Sequence, residues 1–342
     1  MAEKESTLTV LVAFSANFAV AVAKTVAAMV SGSASMTAEA AHSWADTGNQ
    51  AFLIVANRRS SRPPDAERPL GYGQEAYVWS LLAAVGLFVV GGTLSVWHGV
   101  TELLHGEASS ENYLIAYIVL GVAFVLESSS LLQAFRQLRG EASEFDRDLV
   151  AHVLETSDPT SRAVFAEDTA ALIGIVIAAL GVGLHQLTGQ AIWDGIGSIL
   201  VGLLLGVVAV VLIDRNRRFL VGEPAGPQLR EAAIAHLQQL PEVASVRFVR
   251  LVFVGPKQLF LVASVDLVGD AVESSVAATL RELETKLQNE PYIVDAVLTI
   301  AERLTLSVRT VENYVYRAML KTETTSRDEL AALLNRRHKV PK

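Results

Sequence analysis

The chain has 342 residues, of which 51% are hydrophobic and only 19% charged, and its mean hydropathy is +0.37. That balance excludes an ordinary soluble domain, in which about a quarter of residues are charged. The net charge of −8 excludes a global nucleic-acid footprint, and the absence of cysteine excludes disulfides, thiolate metal sites and cysteine catalysis.

A membrane-spanning helix needs about 20 mainly apolar residues. Six stretches meet that need: Leu8–Val30, Met36–Ala56, Ala76–Leu104, Tyr113–Phe135, Ala163–Leu187 and Ile192–Ile213. The N-terminal MAEKESTLTV runs into the first of them without a small-residue cleavage site, so it is expected to be a span and not a cleaved signal. Arginines gather in three loops: Arg58, Arg59, Arg62 and Arg68 after the second span, Arg136, Arg139 and Arg147 after the fourth, and Arg215, Arg217 and Arg218 after the sixth. The opposite loops, Ser31–Ser35, Gly106–Asn112 and Thr188–Ala191, hold no Lys or Arg. The positive-inside rule then puts both termini in the cytoplasm. The host is expected to be the cell membrane. Lys24, near the outer end of the first span, is expected to snorkel outward.

Beyond the sixth span the pattern changes. Pro227–Leu240 is amphipathic, Val246–Val254 and Gln258–Val268 alternate like strands around Gly255-Pro256, Val272–Gln288 is helical, and Tyr292–Ile300 is a third strand. The expected architecture is a six-helix all-α transmembrane bundle over residues 8–218, a small cytoplasmic α+β domain (α-β-β-α-β) over 227–300, and a helical extension over 301–342. The extension carries nine Lys/Arg against five Asp/Glu, opposite in sign to the whole.

Ionisable side chains at bilayer depth are costly, and each is a functional candidate. In the second span His42 and Asp46 are four residues apart and share a helical face, which Glu39 and Asn49 extend in either direction. A neutral imidazole and a carboxylate suit a borderline-soft divalent ion such as Zn2+; Mn2+, Co2+ and Fe2+ stay open at this point. Two ligands on one helix cannot close a site, so the fifth span is expected to supply Asp168, preceded by Glu167. It opens on Asp158-Pro159, a capping residue and a first-turn proline. Glu127 in the fourth span relays protons or orients a ligand at the metal site, or else bonds locally to Ser128–Ser130. His98 and His105 read as interfacial residues, and the glycines of the sixth span (Gly195, Gly197, Gly202, Gly206) as a close packing face. No catalytic constellation or resident cofactor is expected, so the chain reads as a transporter and not an enzyme.

The His42-x-x-x-Asp46 pair, the fifth-span acid and the runs SGSASMTAEAAHSWADTGNQ, GYGQEAYVWS, DPTSRAVFAEDTAALIG and WDGIGSILVGLLLG together resemble the cation diffusion facilitator family, in the branch that includes a mitochondrial zinc transporter. The resemblance covers about Leu8–Ile300. It implies a homodimeric antiporter that exports zinc from the cytoplasm in exchange for protons. It also implies a site built from two residues of span two and two of span five. His42, Asp46 and Asp168 match three of these positions. The fourth, often histidine, is Val164 here, and Glu167 can replace it only if the helix rotates or unwinds.

A second resemblance lies in the extension. Ile300–Tyr314 and Ser326–Leu330 are similar to part of a LuxR-type helix-turn-helix, but its preceding packing helix is replaced by a strand-like run. Arg309, Thr310 and Asn313 would be its DNA-contacting residues; the alternative is a helical hairpin with no nucleic-acid role. That segment carries the competing reading, a membrane-tethered metal sensor or regulator.

Overall fold

In the computed structural model the described residues are 2–105, 113–144, 148–269 and 273–300. Ten α-helices and three strands lie within them. They divide between two compact units. The first is built on the helices up to Gly226 with Leu251–Leu261 and Leu287–Ala296, and the second on Pro227–Arg250 and Val262–Lys286.

The helices of the first unit are α1 (Ala2–Ser31), α2 (Ala34–Ser60), α3 (Glu75–Gly86), α4 (Thr93–His105), α5 (Tyr113–Glu144), α6 (Leu149–Glu155), α7 (Pro159–Thr188) and α8 (Ile192–Val221). A π-helical stretch, Leu87–Gly92, joins α3 to α4, so the expected third span is one rod with a widened turn. Four rods are long and apolar enough to cross a bilayer: Glu75–His105, α5, α7 and α8. Their outward faces carry exposed Leu104, Leu114, Val125, Leu187 and Val207, the surface that lipid covers. The chain is an integral membrane protein with these four apolar helices.

The other two rods are also long helices. In α1 the apolar part is the shorter Asn17–Ser31. In α2 the apolar pattern is broken by Glu39, His42, Asp46, Arg58 and Arg59. The helix α2 is nonetheless the hub, packing on α1, α3, α4, α7 and α8. Its alanines make this possible: Ala40, beside Met36, joins a buried cluster with Ala27, Leu120 and Ile175, while Ala38 and Ala45 join another with Ala170, Val201 and Leu205. Small residues let helix backbones approach closely, which gives the dispersion contacts that hold bundles in lipid.

The glycines of α8 do the same. A Cβ on Gly99 of α4 would stand 2.5 Å from the Gly195 carbonyl oxygen, and one on Gly202 would stand 2.8 Å from that of Gly92. The start of α7 follows the sequence reading. The Asp158 carboxylate accepts from Thr160 N at 2.9 Å and from Ser161 N at 3.4 Å, with Pro159 in the first turn.

After Gly226 come α9 (Pro227–Gln239), β1 (Val243–Gly255), β2 (Gln258–Leu267), α10 (Glu273–Gln288) and β3 (Ile293–Ile300). The sheet order is β1-β2-β3, the first two joined at Pro256-Lys257 and the last reached through α10. This is the expected α-β-β-α-β succession. Residues 301–342, with Arg309, Thr310 and Asn313, lie outside the described residues.

Candidate functional site

The middle of α2 brings its polar residues inward. Glu39, His42, Ser43, Asp46, Thr47 and Asn49 are all buried. His42 Nε2 stands 2.9 Å from Asp46 Oδ2, as four-residue spacing on a helix dictates. His42 Nδ1 and Asp46 Oδ1 are buried with no hydrogen-bond partner. Orphaned polar atoms of this kind are costly in a dry interior.

Glu167, not Asp168, is the acid turned toward α2: it is buried and its Oε2 accepts a hydrogen bond from Asn49 Nδ2. This happens in a continuous helix, without rotation or unwinding. Its Oε1 is buried without a partner. Asp168, one residue on, is turned roughly 100° away and accepts from Ser130 Oγ of α5 at 2.7 Å. Both acids therefore line the bundle interior, one toward α2 and one toward α5. Val164 is half-buried and offers no ligand atom.

Glu127 of α5 is half-buried. Of the serines beside it, the Ser129 hydroxyl donates to Leu126 O and that of Ser130 to Asp168. His98 is exposed, as an interfacial residue should be.

Lys24 does not snorkel. It is fully buried, and its Nζ donates to Glu39 Oε2 at 2.8 Å. Reaching the outer interface would leave Glu39 as an uncompensated carboxylate among apolar helices, and pairing removes that cost.

Sequence reasoning also missed what holds α2 in place. Asp194, in the first turn of α8 and fully buried, accepts from Ser33 Oγ at 2.8 Å, from Ser35 N at 3.2 Å and from Ala34 N. Ser33 in turn caps α2 by accepting from Met36 N at 3.1 Å. The Ser35 side chain enters a slot left by Gly181 and Gly197. An acid at the very start of an apolar span was the available signal.

Among the described residues, no three His, Cys, Asp or Glu side chains stand close enough together to hold an ion. The arrangement is two candidate half-sites, His42–Asp46 on α2 and the Glu167–Asp168 corner on α7, with Asn49 of α2 bonded to Glu167. Outside the bundle, Asp65 in the loop before α3 accepts from the Tyr72 hydroxyl at 2.6 Å, and this bond, with backbone donation from Arg68, holds its carboxyl below the ordinary value.

Comparison with known proteins matches residues 10–221 to the cation efflux transmembrane domain. The chain is 34% identical over 298 residues to the mouse (Mus musculus) protein named proton-coupled zinc antiporter SLC30A9, mitochondrial, covering 84% of this chain and 52% of that one. It is 36% identical over 252 residues to the Homo sapiens protein of the same name, with 74% and 44% covered. Metal tolerance protein C4 of Arabidopsis thaliana is 37% identical over 254 residues, with 74% and 55% covered. The chain spans about half the length of these curated relatives.

Proposed function

The chain belongs to the cation efflux family, and from that premise we propose that it carries a divalent cation, Zn2+ first, across a membrane in exchange for protons. The observation that carries the reading is the buried His42–Asp46 pair facing a second acid pair at Glu167–Asp168 on α7. A cation of charge +2 entering between them would satisfy orphaned oxygens and nitrogen that the protein leaves unpartnered. The relatives named as zinc antiporters support zinc as cargo, and the His/carboxylate chemistry of the site agrees with it. The comparisons favour transport over a membrane-tethered sensor.

The ligand set we propose is His42, Asp46 and Asp168, with Glu167 as the nearer α7 acid and Asn49 as the residue that holds it toward α2. The half-sites close when the cation draws the α2 and α7 groups together. Proton exchange follows from ligand chemistry. Imidazole and carboxylates must shed protons before they bind metal, so a site that faces the two sides alternately is loaded with metal on one and protons on the other. Six spans, with α1 and α2 crossing beside the four apolar rods, complete the translocation domain. Both termini then lie in the cytoplasm, export from the cytoplasm is the direction that the family resemblance implies, and the α+β unit suits a homodimer.

The test is zinc uptake into proteoliposomes holding a zinc dye, with and without a pH gradient, for wild type, Asp46→Ala and the double variant His42→Ala/Asp46→Ala. Flux that follows the gradient and vanishes in both variants is expected. Undiminished flux in the double variant refutes the site.

A further inference from the structure

A second charged pair lies one helical turn from His42, and transport as derived above does not use it. Lys24 of α1 and Glu39 of α2 are both 0% exposed and joined at 2.8 Å through Glu39 Oε2. The other oxygen, Oε1, is buried without a hydrogen-bond partner. Facing it is Gly174 of α7, where a Cβ would stand 2.5 Å from Oε1. The α7 helix thus leaves out a side chain where α2 inserts a carboxylate. Gly174 is two turns beyond Glu167 toward the Gly189 end of α7, and Glu39 is one turn beyond His42 toward the Ser33 end of α2. The α2–α7 seam therefore carries acid groups at two levels: Asp46 with Glu167, and Glu39 alone.

Stability does not account for this pair. A buried ion pair is commonly no better than the apolar side chains that would replace it. The helices that carry the pair also contribute Ala27, Ala28, Met36 and Ala40 to a buried apolar cluster, so apolar side chains could have stood in its place. The half-satisfied carboxylate is the informative detail: a built structural pair would use both oxygens, whereas Glu39 keeps one free.

We propose that Glu39 is a second station for the divalent cation on the path from His42–Asp46 toward the Ser33 end of α2, and that Lys24 is a tethered cation that fills this station whenever the transported ion is absent. The inference rests on the transport reading. A lone buried carboxylate on the path would be a trap, because an ion bound there would leave only by exposing an uncompensated charge. Lys24 removes the trap. Its ammonium moves aside for an incoming dication and returns behind it, so each charge state of the path keeps a counter-ion. The ligand class is a divalent ion that accepts carboxylate oxygen.

The experiment is equilibrium dialysis of the full chain in detergent against saturating radioactive zinc, for wild type, Lys24→Met, Lys24→Gln and the double variant Lys24→Met/Glu39→Gln. One additional zinc per chain is expected in both single variants, where the competitor has gone. The double variant is expected to return to the wild-type count. Lys24→Gln keeps an N–H donor for Glu39 and so reads the count even if Lys24→Met fails to fold. The same zinc count in a folded single variant as in wild type overturns the station. Flux measured in parallel separates the two ideas. A wild type that transports, with no gain in the variants, defeats the station alone. A wild type that moves no ion, with the gain present, defeats transport alone.

Discussion

Asp194→Ala tests whether the α8 carboxylate is what seats α2. The substitution removes the acceptor of three buried donors, Ser33 Oγ, Ala34 N and Ser35 N. A buried donor left unpaired costs about 1–3 kcal/mol, and the lost favourable charge at a helix N-terminus about 0.3–1 kcal/mol more. The Ser33 hydroxyl can rotate to a new partner, but the two amides of the first turn cannot, so the expected loss is about 3–5 kcal/mol. Asp194→Asn keeps Oδ1 for Ser33 and Ser35 and opposes an NH2 to Ala34 N, so it should cost about half as much, near 2 kcal/mol. Ser33→Ala, which deletes the cap hydroxyl alone, sets the scale at about 1 kcal/mol. Equilibrium unfolding in mixed micelles measures all three. An Asp194→Ala loss below about 1 kcal/mol would refute the reasoning, because it would mean that the α2 amides have other partners ready.

The close helix crossing offers a second test. Gly99→Ala and Gly202→Ala would each push a methyl into backbone, with contacts of 2.5 and 2.8 Å, and should destabilise by about 1–3 kcal/mol in the same assay. Gly121→Ala meets nothing within 4 Å and should be neutral or gain up to about 1 kcal/mol, so equal losses at all three would deny the packing argument. Asn49→Ala strips Glu167 of its one donor and should lower the stability of the metal-free protein by about 1.5–3 kcal/mol, with the deficit shrinking as zinc is added; a zinc-independent deficit would separate Asn49 from the ion site. In the loop before α3, Tyr72→Phe should raise the Asp65 pKa toward its ordinary value of 3.8. Because the native carboxyl lies below that value, its stabilising effect is full above pH 3.8 and lost as pH falls through the depressed value. Isotope-edited infrared titration of the aspartates reads this directly, and an unchanged titration in Tyr72→Phe would remove the hydroxyl as the cause.

Much of the fold was legible because hydropathy is a local signal. Helices α1, α2, α5, α7 and α8 and the α-β-β-α-β succession follow from runs and alternations that need no partner. The seven-residue α6 and the π turn at Leu87–Gly92 were not legible. The first is too short to show a period, and the second is a change in hydrogen-bond register inside an unbroken apolar run. The site was legible in its residue types and less so in its geometry. His42 and Asp46 sit on one helix, so their four-residue spacing fixes their contact.

Which of Glu167 and Asp168 faces α2 depends on the rotation of α7 about its own axis, and that is set by packing. Ala163 lies against α3 and α8 neighbours and Ala170 against α2 and α8 neighbours, Glu167 falls between them on the same stripe, and Asp168 is carried toward Ser130. The i, i+3 and i, i+4 small residues of α7 thus decide the acid's direction, a clue that reading charges alone passes over. The same reasoning bears on Lys24. Depth counted from the end of a span suggests an outer position from which a lysine reaches water. Whether it does depends on what it meets on the way, and here it meets Glu39, fifteen residues along the chain and across a helical hairpin. Asp194 shows the limit most clearly, since its partners lie some 160 residues away. No local pattern announces such a contact, yet it fixes the start of the helix that carries His42 and Asp46. A buried charge in an apolar span therefore specifies that a partner exists, and only the packed bundle specifies which one.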